Sequence, residues 1–196
     1  MARKDISEKL IHFTKGESDD VAFSNIQSIL KERRIISSSG CIKGGHSCVC
    51  FTEAPLSELA EGLLNPVAYS RYSQFGVILE KKWVFQKGGR PVIYQSDSEY
   101  IELPDSHKWR HVRYEPNETS PIDFTWEREW RIRTDELLFD SESASVVVPD
   151  SVWADRLAET YELGEDFKIL EYSQIMDENL ARQYRDEFDW VVYTLR

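Results

Sequence analysis

Long apolar runs and paired cysteines are both missing from this chain, and each absence narrows what it can be. No stretch approaches the roughly 18 apolar residues that a membrane span needs. Met1 to Leu10 carries acids where a signal segment would be apolar. The expectation is a cytoplasmic protein with no membrane partner. Cysteine numbers only three, all between positions 41 and 50, which is not the even, dispersed framework of a secreted disulfide scaffold. The glycine patterns G-x-x-x-x-G-K-[ST], G-x-G-x-x-G and G-x-S-x-G are absent, so phosphate-loop, Rossmann and nucleophile-elbow chemistry lack support. There is no repeat, no low-complexity tract and no dividing linker.

Metal-binding patterns are thin as well. Cys41, His46, Cys48 and Cys50 are spaced C-x4-H-x-C-x-C, without the C-x2-C knuckles of zinc sites. His107 and His111 have helical ligand spacing, but Pro104 and Pro116 bound them and no H-E-x-x-H accompanies them. No metal is expected.

What is present is ample for a core: 196 residues, 41% apolar and 12% aromatic, with 30% charged. One globular domain over 1–196 follows, stable without disulfide or metal. The net charge of −11 is unevenly spread. Residues 1–133 hold 19 bases and 19 acids, leaving 24 − 19 = 5 bases against 35 − 19 = 16 acids in 134–196. That acidic C-terminal region, expected to pack on the rest, would resist a polyanion or attract a basic partner, whereas the neutral front can present a local basic face.

Element by element, Leu10 to Thr14 alternates as a strand around His12, and Asp19 and Asp20 can cap a helix with apolar positions from Val21 to Ile35. Cys48 to Thr52 reads as a strand, after which Pro55 starts a helix through Leu64. Strands are expected at Phe75–Leu79, Trp83–Phe85, Pro91–Gln95, Trp126–Ile132, Ser145–Val148 and Phe167–Tyr172. Residues 97–123 form a long polar loop with partial helix, Asp150 caps a short helix through Leu157, and Asp177–Phe188 is an amphipathic helix. The class is α+β.

The strongest local signal is Trp126-Glu127-Arg128-Glu129-Trp130-Arg131-Ile132-Arg133. On a period-two strand, Glu127 and Glu129 share a face with Arg131 and Arg133. Two carboxylates so placed suit a sugar developing positive charge, and equally suit an exposed face where Glu129 pairs with the arginines. His12 reads either as a cleft residue or as a satisfied core histidine, with Thr14 on its strand face. Thr52 stands where a strand meets a helix start, as a cleft hydroxyl or a simple cap.

Taken together, His12 on the first strand, the Ser24-to-Lys31 helix, Cys50-Phe51-Thr52-Glu53 and the later Glu127-x-Glu129 resemble ADP-ribosyltransferases, nearest to their nucleic-acid-modifying and bacterial toxin branches. Ile11-His12-Phe13-Thr14-Lys15, Cys48 to Glu53, Phe75-Gly76-Val77, Gly89 to Tyr94 and Trp126 to Arg131 also resemble bacterial abortive-infection proteins of the AbiG type. The resemblance covers roughly residues 10 to 135. It implies a split pair of small, mainly antiparallel sheets with flanking helices, and NAD as substrate. In that frame Glu129 is the catalytic glutamate at the ribose, Glu127 contacts the acceptor, and His12 holds the adenosine-side ribose or the nicotinamide amide. Phe13, Thr14, Phe51 and Thr52 complete the NAD site, and Tyr72 or Arg71 stands in for the Tyr or Arg that many members carry near the second strand.

The expected function is an NAD-dependent mono-ADP-ribosyltransferase toxin of phage defence, restrained by an antitoxin or other neutralising protein. Lys108, Trp109, Arg110 and Arg113 alternate cation and aromatic as a nucleic-acid acceptor would need, with RNA favoured. The alternatives are a non-catalytic partner, antitoxin or sensor of such a locus, and a metal-dependent nuclease using Glu127, Glu129 and a histidine.

Overall fold

In the computed structural model, residues 6–56, 73–117 and 119–196 are described. Among them a seven-stranded sheet runs in the order β11-β10-β4-β1-β3-β8-β5. Its strands are β1 (Lys9–Phe13), β3 (Cys48–Thr52), β4 (Gly76–Glu80), β5 (Arg90–Pro91), β8 (Glu129–Arg133), β10 (Ala144–Val148) and β11 (Val192–Thr194). Every neighbouring pair is antiparallel except β10 and β11. Two small ladders flank it: β2 (Arg34–Ile36) with β9 (Glu136–Leu138), and β6 (Ile93–Gln95) with β7 (His111–Arg113). The α+β class and the mainly antiparallel pairing are as the sequence implies. In place of a pair of small sheets there is one principal sheet, because β3 hydrogen-bonds to both β1 and β8 and so joins the two halves.

Register assigns every side chain to a face, since antiparallel partners point the same way. One face carries Leu10, Val49, Phe51, Val77, Leu79, Ile132, Val146 and Val148, the main core. It is covered by α1 (Asp19–Glu32), α2 (Lys81–Gln86) and α3 (Ser151–Tyr172) through Phe23, Ile26, Leu30, Val84 and Leu157. The second face carries Ile11, Phe13, Ile78 and Val147 in one cluster, and Cys48 with Ile42 and Trp109 in another.

Several local expectations change once packing is imposed. Ser18, not Asp19 or Asp20, caps α1, accepting from Val21 N at 3.3 Å; the aspartates sit in the first turn, where the helix dipole favours them. Arg33 ends the helix in the left-handed region, so Ile35 lies in β2. Trp83–Phe85 is helical, inside α2 and not a strand. The chain folds back at Gly88 (φ +94°), and Gly89 lies so close to Val84 that a Cβ would sit 2.5 Å from Val84 Cγ1. Pro91–Gln95 divides into β5 and β6.

Phe167–Tyr172 is also helical: capped by Asp150, α3 runs 22 residues unbroken to Tyr172. The helix expected at Asp177–Phe188 is only α4 (Glu178–Arg182), and residues beyond it pack along α3 through Tyr161–Phe188 and Tyr172–Tyr184 ring contacts. Residues 134–196 are integral to the fold, since β10 lies inside the principal sheet. The helix expected from Pro55 to Leu64 falls almost wholly outside the described residues. Among the described residues no helix is long and apolar enough to cross a membrane.

Candidate functional site

The largest correction concerns the two glutamates. The strand expected from Trp126 begins only at Glu129, because Thr125–Glu127 is a 3-10 turn and Arg128 adopts φ 45°, ψ 50°. A left-handed residue cancels strand alternation at that point, so Glu127 and Glu129 do not share a strand face. Thr52 fixes the turn: its hydroxyl donates to Glu127 O at 2.6 Å and accepts from Ala54 N at 3.1 Å. Tyr94 Oη accepts from Glu129 N at 3.0 Å, and Glu129 O accepts from Val92 N at 3.0 Å. The start of β8 is therefore held from β3 on one side and from the β5–β6 link on the other.

The Glu129 side chain is gripped by Arg131. Nε and Nη2 of the guanidinium donate to its two oxygens at 2.8 and 3.0 Å, and the side chains are 5% and 11% exposed for Arg131 and Glu129. Arg131 Nη1 also donates to Trp109 O and His111 O, each at 3.0 Å. This is a bidentate pair in which the arginine is also fastened to the backbone of the 108–111 segment. Burial, reinforced by Glu129, pushes the thiol of Cys50, a neighbour on the same face, far up.

An open cavity of about 340 Å³ lies where β8 begins, lined among others by Glu53, Tyr94, Arg128, Glu129 and Trp130. Glu53, to which the sequence alone assigns no role, is anchored there. Its carboxylate accepts from Lys81 Nζ at 2.9 Å and from Trp130 Nε1 at 2.6 Å. Its place at the end of the Cys50-Phe51-Thr52-Glu53 element, two residues before Pro55, is the signal the sequence offers for it. Burial raises the Tyr94 hydroxyl to about 12, with the nearby acids Glu129 and Glu127 adding to the shift.

The other expected site residues are dispersed. His12 is on the main-core face and Glu129 on the opposite one, with β3 between their strands. His12 Nδ1 donates to Cys50 O at 2.8 Å, and its ring meets Phe51 edge-on at 6.0 Å. Burial holds the imidazole below its ordinary pKa, which favours the neutral ring. Phe51 is buried in the main core and Phe13 in the cluster on the far face. Thr14 lies just past β1 and is buried, its hydroxyl 2.8 Å from Ser73 Oγ and 3.2 Å from Phe75 O. Arg71 and Tyr72 lie outside the described residues.

The 108–113 segment does not present an open stacking platform. Trp109 is buried on Ile42 and Cys48, with Nε1 donating to Ser106 O at 2.8 Å. Lys108 pairs with Asp105 at 2.7 Å, Arg110 Nε donates to Pro91 O at 2.9 Å, and Arg113 Nε to Glu115 at 2.7 Å. Among the described residues no group of three or more His, Cys, Asp or Glu side chains is placed to hold a metal ion.

Comparison of the chain with family models, with curated proteins and with solved structures gives no match in any of the three.

Proposed function

We propose that the chain transfers ADP-ribose from NAD to an acceptor, as the toxin of a bacterial phage-defence, abortive-infection system. The observation that carries this reading is the convergence of Glu129, Glu53, Tyr94 and Trp130 on one cavity of about 340 Å³, near the lower end of ordinary small-molecule pockets. That volume suits the nicotinamide ribose end of the dinucleotide. A carboxylate has about four lone-pair sites, and Arg131 occupies one on each oxygen, so Glu129 retains capacity for a ribose hydroxyl while its orientation is fixed. Cleaving the glycosidic bond builds positive charge on the ribose, and an oriented carboxylate stabilises it most in the transition state. Tyr94 lines the same cavity, its hydroxyl 3.0 Å from Glu129 N, and Trp130, on the other sheet face, enters it through its bond to Glu53. The acceptor in this reading is nucleic acid, RNA first.

The test is release of label from nicotinamide-labelled NAD by the pure protein. Glu129→Gln, assayed below its own unfolding temperature, should lower release by about a hundredfold or more. Equal release from the folded variant overturns the assignment, and no release from the unaltered protein overturns the activity.

One observation favours the second reading, a non-catalytic antitoxin or sensor: His12 and Glu129 occupy opposite sheet faces, so they do not converge on one bound molecule. That reading requires no turnover of NAD at any protein concentration. It also leaves Glu129→Gln without effect on toxicity in cells.

A further inference from the structure

The outward face of α3 carries an apolar stripe that no described residue covers. Leu163, Phe167 and Leu170 are 56%, 66% and 62% exposed, and their i, i+4, i+7 spacing sets them in one line along the helix. The opposite face of the same helix is occupied. Leu157 is buried in the core, Tyr161 meets Phe188, Lys168 pairs with Asp186, and Tyr172 meets Tyr184. A helix that is apolar on its outer as well as its inner face is typical of one enclosed in an assembly.

Charge says what kind of partner fits. Asp155, Glu159, Glu162 and Asp166 follow the spacing i, i+4, i+7, i+11 and form a row along one flank of the stripe. Arg185 bridges Glu162 and Asp166, whereas Asp155 and Glu159 are exposed. Between residues 150 and 190 there are 12 acids and 4 bases, a local charge of 4 − 12 = −8. A second copy of this chain would set that acidic surface against its own like, which is unfavourable.

We propose that this face docks a helical segment of a basic protein, with apolar side chains laid on Leu163, Phe167 and Leu170 and lysines or arginines along the acidic row. The inference is independent of any activity in the cavity, which lies at the start of β8. Encounter is accelerated by charge and weakened by salt, while the apolar contact sets the lifetime of the complex.

The test uses the full chain and a synthetic amphipathic helical peptide with leucines at i, i+4 and i+7 and lysines on one flank. Expected are saturable binding, weakening as salt is raised, and a loss of about tenfold or more in affinity for the Phe167→Ser, Leu170→Ser variant. Both positions face solvent, so the thermal midpoint of the variant should match that of the unaltered chain. A control peptide with serine in place of leucine should bind the chain and the variant alike, and weakly. Equal affinity of the leucine peptide for both proteins overturns the proposal. So does a concentration-dependent dimer, or binding to neutral phosphatidylcholine vesicles, that the same variant abolishes.

Discussion

Removing Arg131 tests the central arrangement of the site most directly. The guanidinium makes four hydrogen bonds, two to Glu129 and one each to Trp109 O and His111 O. Arg131→Met keeps much of the apolar stem but leaves a largely buried carboxylate and two carbonyls without this donor. Taking one member from a buried pair costs about 3–5 kcal/mol. At about 2–4 °C per kcal/mol for a chain of this size, the thermal midpoint should fall by about 6–20 °C. Glu129→Leu should also destabilise, because it strands the charge on Arg131. The double variant removes both charges together, and it should be more stable than the sum of the two single losses by about 2 kcal/mol or more. Urea melts of the four proteins, with slopes compared to check the two-state condition, give the coupling energy. A single Arg131→Met loss below about 1 kcal/mol, or additive losses in the double variant, refutes the buried-pair account.

Acid should weaken the fold through His12. Its folded pKa lies below the ordinary value because burial disfavours the charged ring. Above about pH 6.5 the ring is neutral in both states; as pH falls below that, the unfolded chain binds the proton first, and stability declines until the depressed folded value is reached. Thermal midpoints from pH 8 to pH 5 should therefore fall less steeply for His12→Gln, and identical slopes would contradict it. Cysteine labelling offers another check. Iodoacetamide near pH 8 should modify exposed Cys41 first, half-buried Cys50 more slowly and buried Cys48 slowest, since burial pushes both of the latter thiols up; equal rates by mass spectrometry would contradict this order. Asp150 accepts from both Val152 N and Trp153 N at the start of α3, so Asp150→Ala should cost about 1 kcal/mol and Asp150→Ser should recover most of it. A midpoint unmoved by Asp150→Ala would show that packing alone holds that helix start.

Local chemistry makes much of the framework legible in the sequence. Alternation around His12 and in Cys48 to Thr52 marks β1 and β3, and the acids ahead of Val21 mark the start of α1 to within a residue or two. Where local signals are ambiguous, packing chooses. Trp83–Phe85 and Phe167–Tyr172 are short apolar runs that suit a strand or a helix equally, and periodicity does not separate the two at that length. Contacts decide them: Val84 enters the core above Gly89, and the far end of α3 is braced by Tyr184 and Phe188.

At the site the division is sharper. That Trp126 to Arg133 holds opposed charges which must be either functional or paired is determined by composition and spacing alone. The buried grip of Arg131 on Glu129, the turn that separates Glu127 from Glu129, and the entry of Glu53 into the cavity are not. Each depends on a long-range contact: Thr52 with Glu127 O, Tyr94 with Glu129 N, Trp130 with Glu53. The placement of His12 and Glu129 on opposite faces follows from strand parity within each segment and from the order in which β1, β3 and β8 pair. Sequence supplies the first, because side chains alternate by covalent geometry. Only the tertiary structure supplies the second, because strand order is set by which surfaces bury the most apolar area once the whole chain has collapsed.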